Sequence, residues 1–203
     1  MKNWLDKMER RFGRYAIRNL TMYLLAGYAI GYLLSFTMPQ LLTYFTLEPA
    51  LILKGQVWRL LSWVIIPPND NIIFVIFMML LYYSLGNTLE SYWGAFRYNV
   101  YIFSGILFTV IGAFIVNGLI GGITGFGSLY STYYINMSIF LACASIMPDY
   151  QLLLYGIIPI KMKWLAVLDV VLLAVDAVQG GLIIRIVIIA SLLNFIIFFF
   201  CNR

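Results

Sequence analysis

Apolar residues run along this chain in stretches far too long for the core of a soluble domain, and the few polar positions fall mainly between them. Around 20 mostly apolar residues carry an α-helix across the hydrocarbon layer. Read on that scale, the pattern predicts six spans: Asn19 to Met38, Ile72 to Tyr92, Tyr98 to Val116, Ser128 to Met147, Trp164 to Val178 and a last one ending near Phe200. The segment from Pro39 to Asn71 is apolar but interrupted by Glu48, Lys54, Arg59 and Pro67-Pro68, which predicts a partly embedded loop with its irregular backbone shielded by protein. A glycine-rich link, Gly118 to Gly127, precedes span 4. A polar turn from Pro148 to Gln151 leads into an apolar stretch ending at Lys161 and Lys163, and Gln179-Gly180-Gly181 joins spans 5 and 6.

Before the first span, Trp4, Leu5, Met8, Phe12 and Tyr15 recur at intervals of three and four among basic residues. This is the pattern of an amphipathic helix lying on an anionic leaflet. Residues 1–18 are therefore expected to form a basic amphipathic segment and residues 19–203 one six-helix membrane domain. The first span is expected to be retained, since it is long, lacks a small-x-small cleavage site and is followed by five more.

Composition agrees. Of 203 residues, 63% are hydrophobic and only 10% charged, with a mean hydropathy of +0.93. The net charge of +5 follows topology and is no nucleic-acid signal. With the N-terminus inside, ten basic residues fall on the inner side (Lys2, Lys7, Arg10, Arg11, Arg14, Arg18, Arg97, Lys161, Lys163, Arg203) against Lys54 and Arg59 outside. That bias predicts an N-in, C-in, all-α polytopic bundle.

Three charges lie within the spans. Asp169 and Asp176 are two helical turns apart and share a face of span 5, and Arg185 opens span 6. Such charges are costly unless paired or hydrated. Two arrangements follow: an Asp176–Arg185 pair across the Gln179–Gly181 turn, or a polar cavity between spans 5 and 6 that receives a polar part of a client. Glu90, ending span 2, is placed to accept hydrogen bonds from loop backbone. Cys143 and Cys201 read as small buried hydrophobes. With no histidine in the chain and no cysteine pair at ligand spacing, no metal site and no cofactor are expected.

Three landmarks occur together: Gly55-Gln56-Val57-Trp58-Arg59-Leu60 in the first loop, Leu85-Gly86-Asn87-Thr88-Leu89-Glu90-Ser91-Tyr92-Trp93-Gly94 at the end of span 2, and Ser104-Gly105 in span 3. Their order and spacing resemble the rhomboid superfamily of intramembrane serine proteases, from about Tyr15 to Phe200. The resemblance implies a six-helix rhomboid-like bundle in which Trp58, Arg59, Gly86, Glu90, Gly94 and Gly105 carry the family motif. The family's Gly-x-Ser-Gly serine and helix-6 histidine have no match here. Span 4 opens with Thr124-Gly125-Phe126-Gly127-Ser128-Leu129-Tyr130-Ser131, and the histidine position falls near Ile186.

A serine hydroxyl is a weak nucleophile until a base takes its proton, and arginine cannot serve as one. Ser128 and Ser131, with Asp176 as the base, are the candidates if any proteolysis survives. The family's Gly-x-x-x-Gly in helix 6 is also missing, with Ile189 and Leu193 near those positions, which predicts wider spacing of helices 4 and 6. The chain thus looks like a catalytically inactive, derlin-like pseudoprotease, expected to bind transmembrane segments of client proteins in quality control or trafficking. Its partners would be the lipid bilayer and those clients. The alternatives are an unconventional rhomboid-family serine protease and a small-solute transporter. The compact chain suggests a bacterial plasma membrane.

Overall fold

The computed structural model describes residues 4–67, 72–154 and 158–201. It is an all-α membrane bundle. Helix α1 (Trp4–Phe12) passes through a 3-10 turn, Gly13–Tyr15, into α2 (Leu20–Thr37). Three short helical turns follow, α3 (Pro39–Leu42), α4 (Pro49–Ile52) and α5 (Arg59–Ser62), and then α6 (Ile72–Trp93), α7 (Ala95–Leu119) and α8 (Tyr133–Ile146). The strands β1 (Gln151–Leu154) and β2 (Ile158–Lys161) precede α9 (Met162–Gln179) and α10 (Leu182–Cys201). Helices α2, α6, α7 and α10 are long and apolar enough to cross a membrane. Helix α9 matches them in length but carries Lys163, Asp169 and Asp176. Helix α8 has 14 residues, about 21 Å at 1.5 Å per residue.

Local sequence explains most boundaries. Pro39 and Pro49 start the short loop helices at the position where a missing N–H costs nothing. Gly94, at φ 84°, lets α6 reverse directly into α7. The long first loop packs on protein, as its mixed pattern predicts. Leu47, Ile52 and Trp63 are buried, and its last turn lies against Gly27 and Gly31 of α2, where an added β-carbon at Gly31 would collide with the Ile65 carbonyl.

Helix α7 is the hub, packed against α6 and α10 and touching α8. Tyr98 and Tyr101 are buried within it, and Trp93, Tyr101 and Phe198 meet edge-on or tilted. Polar side chains cross-link the helices: Thr21 with Tyr98 at 2.7 Å, the Tyr101 hydroxyl to the Ser138 carbonyl at 2.9 Å, and Ser104 to Asn194 at 2.6 Å. Cys143 is a buried free thiol; the side chain of Cys201 lies outside the described residues.

Two expectations are corrected, and one stretch takes a form that the sequence left open. Span 4 begins at Tyr133, not Ser128, because Gly127–Leu129 forms a separate 3-10 turn. The apolar stretch before Lys161 is an antiparallel hairpin pairing Gln151 with Lys161 and Leu154 with Ile158. Helices 4 and 6 are not held apart. Ile189 and Leu193 point outward, and the inward face carries Val187, Ser191, Asn194 and Phe198. There the small Ser191 side chain donates to the Tyr134 backbone carbonyl and joins the two helices.

Candidate functional site

The serines opening span 4 are placed by the loop before it. Gly125, at φ 105°, turns the chain so that the Gly125 and Gly127 N–H groups both point to one carboxylate oxygen, Glu48 Oε1, at 2.9 and 2.7 Å. Glu48 is buried, and sequence reading saw it only as an interruption in the first loop. Its signal is the glycine pair itself, which exposes two donors in the space of three residues. Ser128 consequently sits on an exposed turn and makes no hydrogen bond to any carboxylate among the described residues. The Ser131 hydroxyl accepts from the Tyr133 N–H at 3.2 Å and caps α8 locally. Tyr130, buried between them, has its phenol pushed up to about 12, first by desolvation and then by the nearby Glu48 charge.

The motif residues are brought into the frame of the bundle. Arg59, buried, donates from Nε to Gln56 and from one terminal nitrogen to the Thr43 and Thr46 carbonyls at 2.8 and 2.9 Å. Its neighbour Trp58 faces outward and donates to the Tyr44 carbonyl. Glu90 accepts from the Asn19 N–H at 2.7 Å, so it holds the start of α2, which enters through a left-handed residue. Gly86 lies against Thr21, and Gly105 lies against Asn194 and Ile135.

The intramembrane charges do not arrange themselves as either expectation had it. Arg185 is exposed and donates to the Ala177 and Val178 carbonyls at 2.8 and 3.3 Å. It caps the free carbonyl end of α9 and forms no ion pair with Asp176. Four carbonyls at a helix end lack partners, and a nearby guanidinium satisfies them at short range. Among the described residues the space between spans 5 and 6 is mainly apolar, a cavity of about 410 Å³ lined by Ala166 and Val170 of α9 and by Leu192, Phe195 and Ile196 of α10.

The carboxylates turn the other way. Asp169 is only 6% exposed, and its Oδ2 is buried without a protein partner. Asp169 lies within electrostatic range of Tyr82 on α6 and Tyr133 on α8, and Asp176 within range of Tyr133 and Tyr134. The Tyr28 hydroxyl accepts a hydrogen bond from the Asn136 side-chain amide at 3.2 Å. Helix α9 is otherwise a peripheral element. Met162, Asp169 and Leu173 are its buried residues, and Val167, Leu168, Val170, Val171 and Val175 are exposed. The site is therefore a buried acid on the inner face of a largely exposed apolar helix.

Searches of curated proteins and of solved structures give no match. A family described as Eukaryotic integral membrane protein (DUF1751) matches residues 18–200. The eukaryotic character of that family overturns the bacterial plasma membrane expected from chain size, a property that carries no information about the host. What hydropathy does specify, a multi-pass membrane protein, agrees with the match. From Arg18 through the whole helical bundle, the chain belongs to the DUF1751 family of eukaryotic integral membrane proteins.

Proposed function

We propose that this chain is a non-proteolytic, rhomboid-like membrane protein that binds transmembrane segments of client proteins. The carrying observation is Asp169, a buried carboxylate without a protein partner on a helix held by few buried side chains. A charge or unpaired acid in the bilayer interior costs free energy and recurs where a pathway or partner uses it. A client segment bringing a donor or a basic group would complete the site, and the exposed valines and leucines of α9 offer an apolar flank for the rest of that segment. The rhomboid-like reading is supported by the motif residues, which brace the first loop, the α2–α6 contact and the α6–α7 reversal. The non-proteolytic reading is supported by the exposed, unpaired Ser128 in a chain that has no histidine.

The test places photoreactive residues at Met79 on α6 and Leu172 on α9, each within a turn of Tyr82 and Asp169, in native membranes. Expected are protein adducts whose crosslinked peptides are membrane spans, and their loss in Asp169→Leu. Recovery of lipid alone from both positions would overturn client binding.

A further inference from the structure

A second feature lies where the N-terminal segment crosses the start of α7. The two acids of α1 are turned inward: Asp6 and Glu9 pair with Arg97 of α7 at 2.6 and 3.1 Å. Leu5 is fully buried and anchors the helix. Because the acids are consumed by Arg97, the outward face of this segment presents Lys7, Arg10, Arg11, Arg14 and Arg18 with no acid among them. Net attraction for anions follows directly.

Beside this cationic face runs an apolar groove of about 380 Å³ between the segment and α7, with Phe12, Tyr15, Phe96, Phe103 and Leu107 in its walls. The two features are physically joined. The Arg11 guanidinium lies over the Phe12 ring and that of Arg14 over the Tyr15 ring, at 5.4 and 4.7 Å from the ring centres, so two wall aromatics each carry a cation on the rim. Asn99 also lines the groove, is buried, and its Oδ1 has no hydrogen-bond partner. Along α7 the groove extends from Phe96 to Leu107, roughly 16 Å at 1.5 Å per residue. That is about half of a hydrocarbon layer roughly 30 Å thick, the depth of one leaflet.

We infer that this groove binds one anionic phospholipid, its acyl chain laid along α7 and its phosphate held at Arg11 and Arg14. A cationic rim and an apolar trough one leaflet deep match the phosphate and the acyl chain of such a molecule, and the Asn99 Oδ1 acceptor suits a headgroup amine such as that of phosphatidylserine. An amphipathic protein helix would leave the paired cations without a counter-charge fixed at the rim. A soluble phosphate would leave the trough empty. The site is separate from Asp169 and does not depend on client binding.

The test reconstitutes the full chain in nanodiscs containing a trace of phosphatidylserine or phosphatidylcholine with a diazirine in the acyl chain, and maps adducts by mass spectrometry. Expected are adducts on the peptides holding Phe103 and Leu107, favouring phosphatidylserine. Each of Arg11→Gln and Arg14→Gln should lower that preference roughly fivefold, the loss of one surface cation–lipid contact. Both cations are exposed, so these variants fold, and a thermal melt confirms it. Leu107→Trp, which fills the trough, should abolish the adducts of both lipids at this place. Equal labelling by the two lipids, or labelling indifferent to both glutamine variants, overturns the inference. So does complete displacement by excess inorganic phosphate, which would mark an anion site that ignores the chain.

Discussion

Gly86 on α6 and Thr21 on α2 are in such close contact that a β-carbon added at Gly86 would collide with the Thr21 hydroxyl oxygen. The same hydroxyl is hydrogen-bonded to Tyr98 on α7, so three helices meet at this point. Gly86→Ala should therefore destabilise the bundle by about 1–3 kcal/mol, the usual cost of forcing extra volume into a packed interior. Thr21→Ala in the same chain should recover part of that loss, because it removes the two nearest atoms. Thermal melts of the single and double variants in detergent measure both effects.

Arg59 holds the first loop through carbonyl oxygens, an arrangement that needs the forked geometry of a guanidinium. Arg59→Lys keeps the charge but cannot reach Gln56 and both threonine carbonyls together. Its expected cost is roughly 2–3 kcal/mol. Limited proteolysis should then cut between Thr43 and Gln56 before any helix is cleaved.

Asp169→Leu should raise the melting temperature in detergent, because it removes a buried acid with no partner and leaves an apolar side chain of similar size. The same substitution should reduce client adducts. A fall in melting temperature would show that Asp169 has a stabilising role within the bundle.

Arg185→Leu should lower the melting temperature by freeing the last carbonyls of α9. Asp176→Asn should give no rescue, since the two side chains do not pair. Rescue would restore the ion pair that the geometry denies.

Tyr130 sets a pH dependence at the alkaline end. Burial raises its folded pKa to about 12 from the ordinary value of 10.0, so its contribution to stability is complete below pH 10. It is lost as pH climbs towards 12, where the unfolded chain has already released the phenolic proton. Tyr130→Phe should flatten stability over that interval, as followed by near-ultraviolet circular dichroism.

The spans were legible because hydropathy is a property of a window and does not need distant partners. Gly94 was legible for a related reason, since a glycine between two helices acts within a few residues. Glu90 was expected to accept from loop backbone, but the N–H it accepts from belongs to Asn19, 71 residues earlier, and no local pattern names that partner. The start of α8 was not legible. Nothing local distinguishes Ser128 from a helical residue, and the partner that fixes the preceding turn, Glu48, lies 77 residues before Gly125. Arg185 was misassigned because its acceptors are backbone carbonyls, which leave no mark in an amino-acid string. The hairpin from Gln151 to Lys161 escaped for a different reason: its apolar strands carry the same hydropathy as a membrane helix.

The bond from Glu48 to the Gly125–Gly127 turn joins two connecting segments separated by α6 and α7. During synthesis the carboxylate emerges well before either glycine, and it must wait until both intervening helices are threaded through the bilayer. Closure of this contact therefore fixes the two ends of the α6–α7 pair to each other only after both helices are in place.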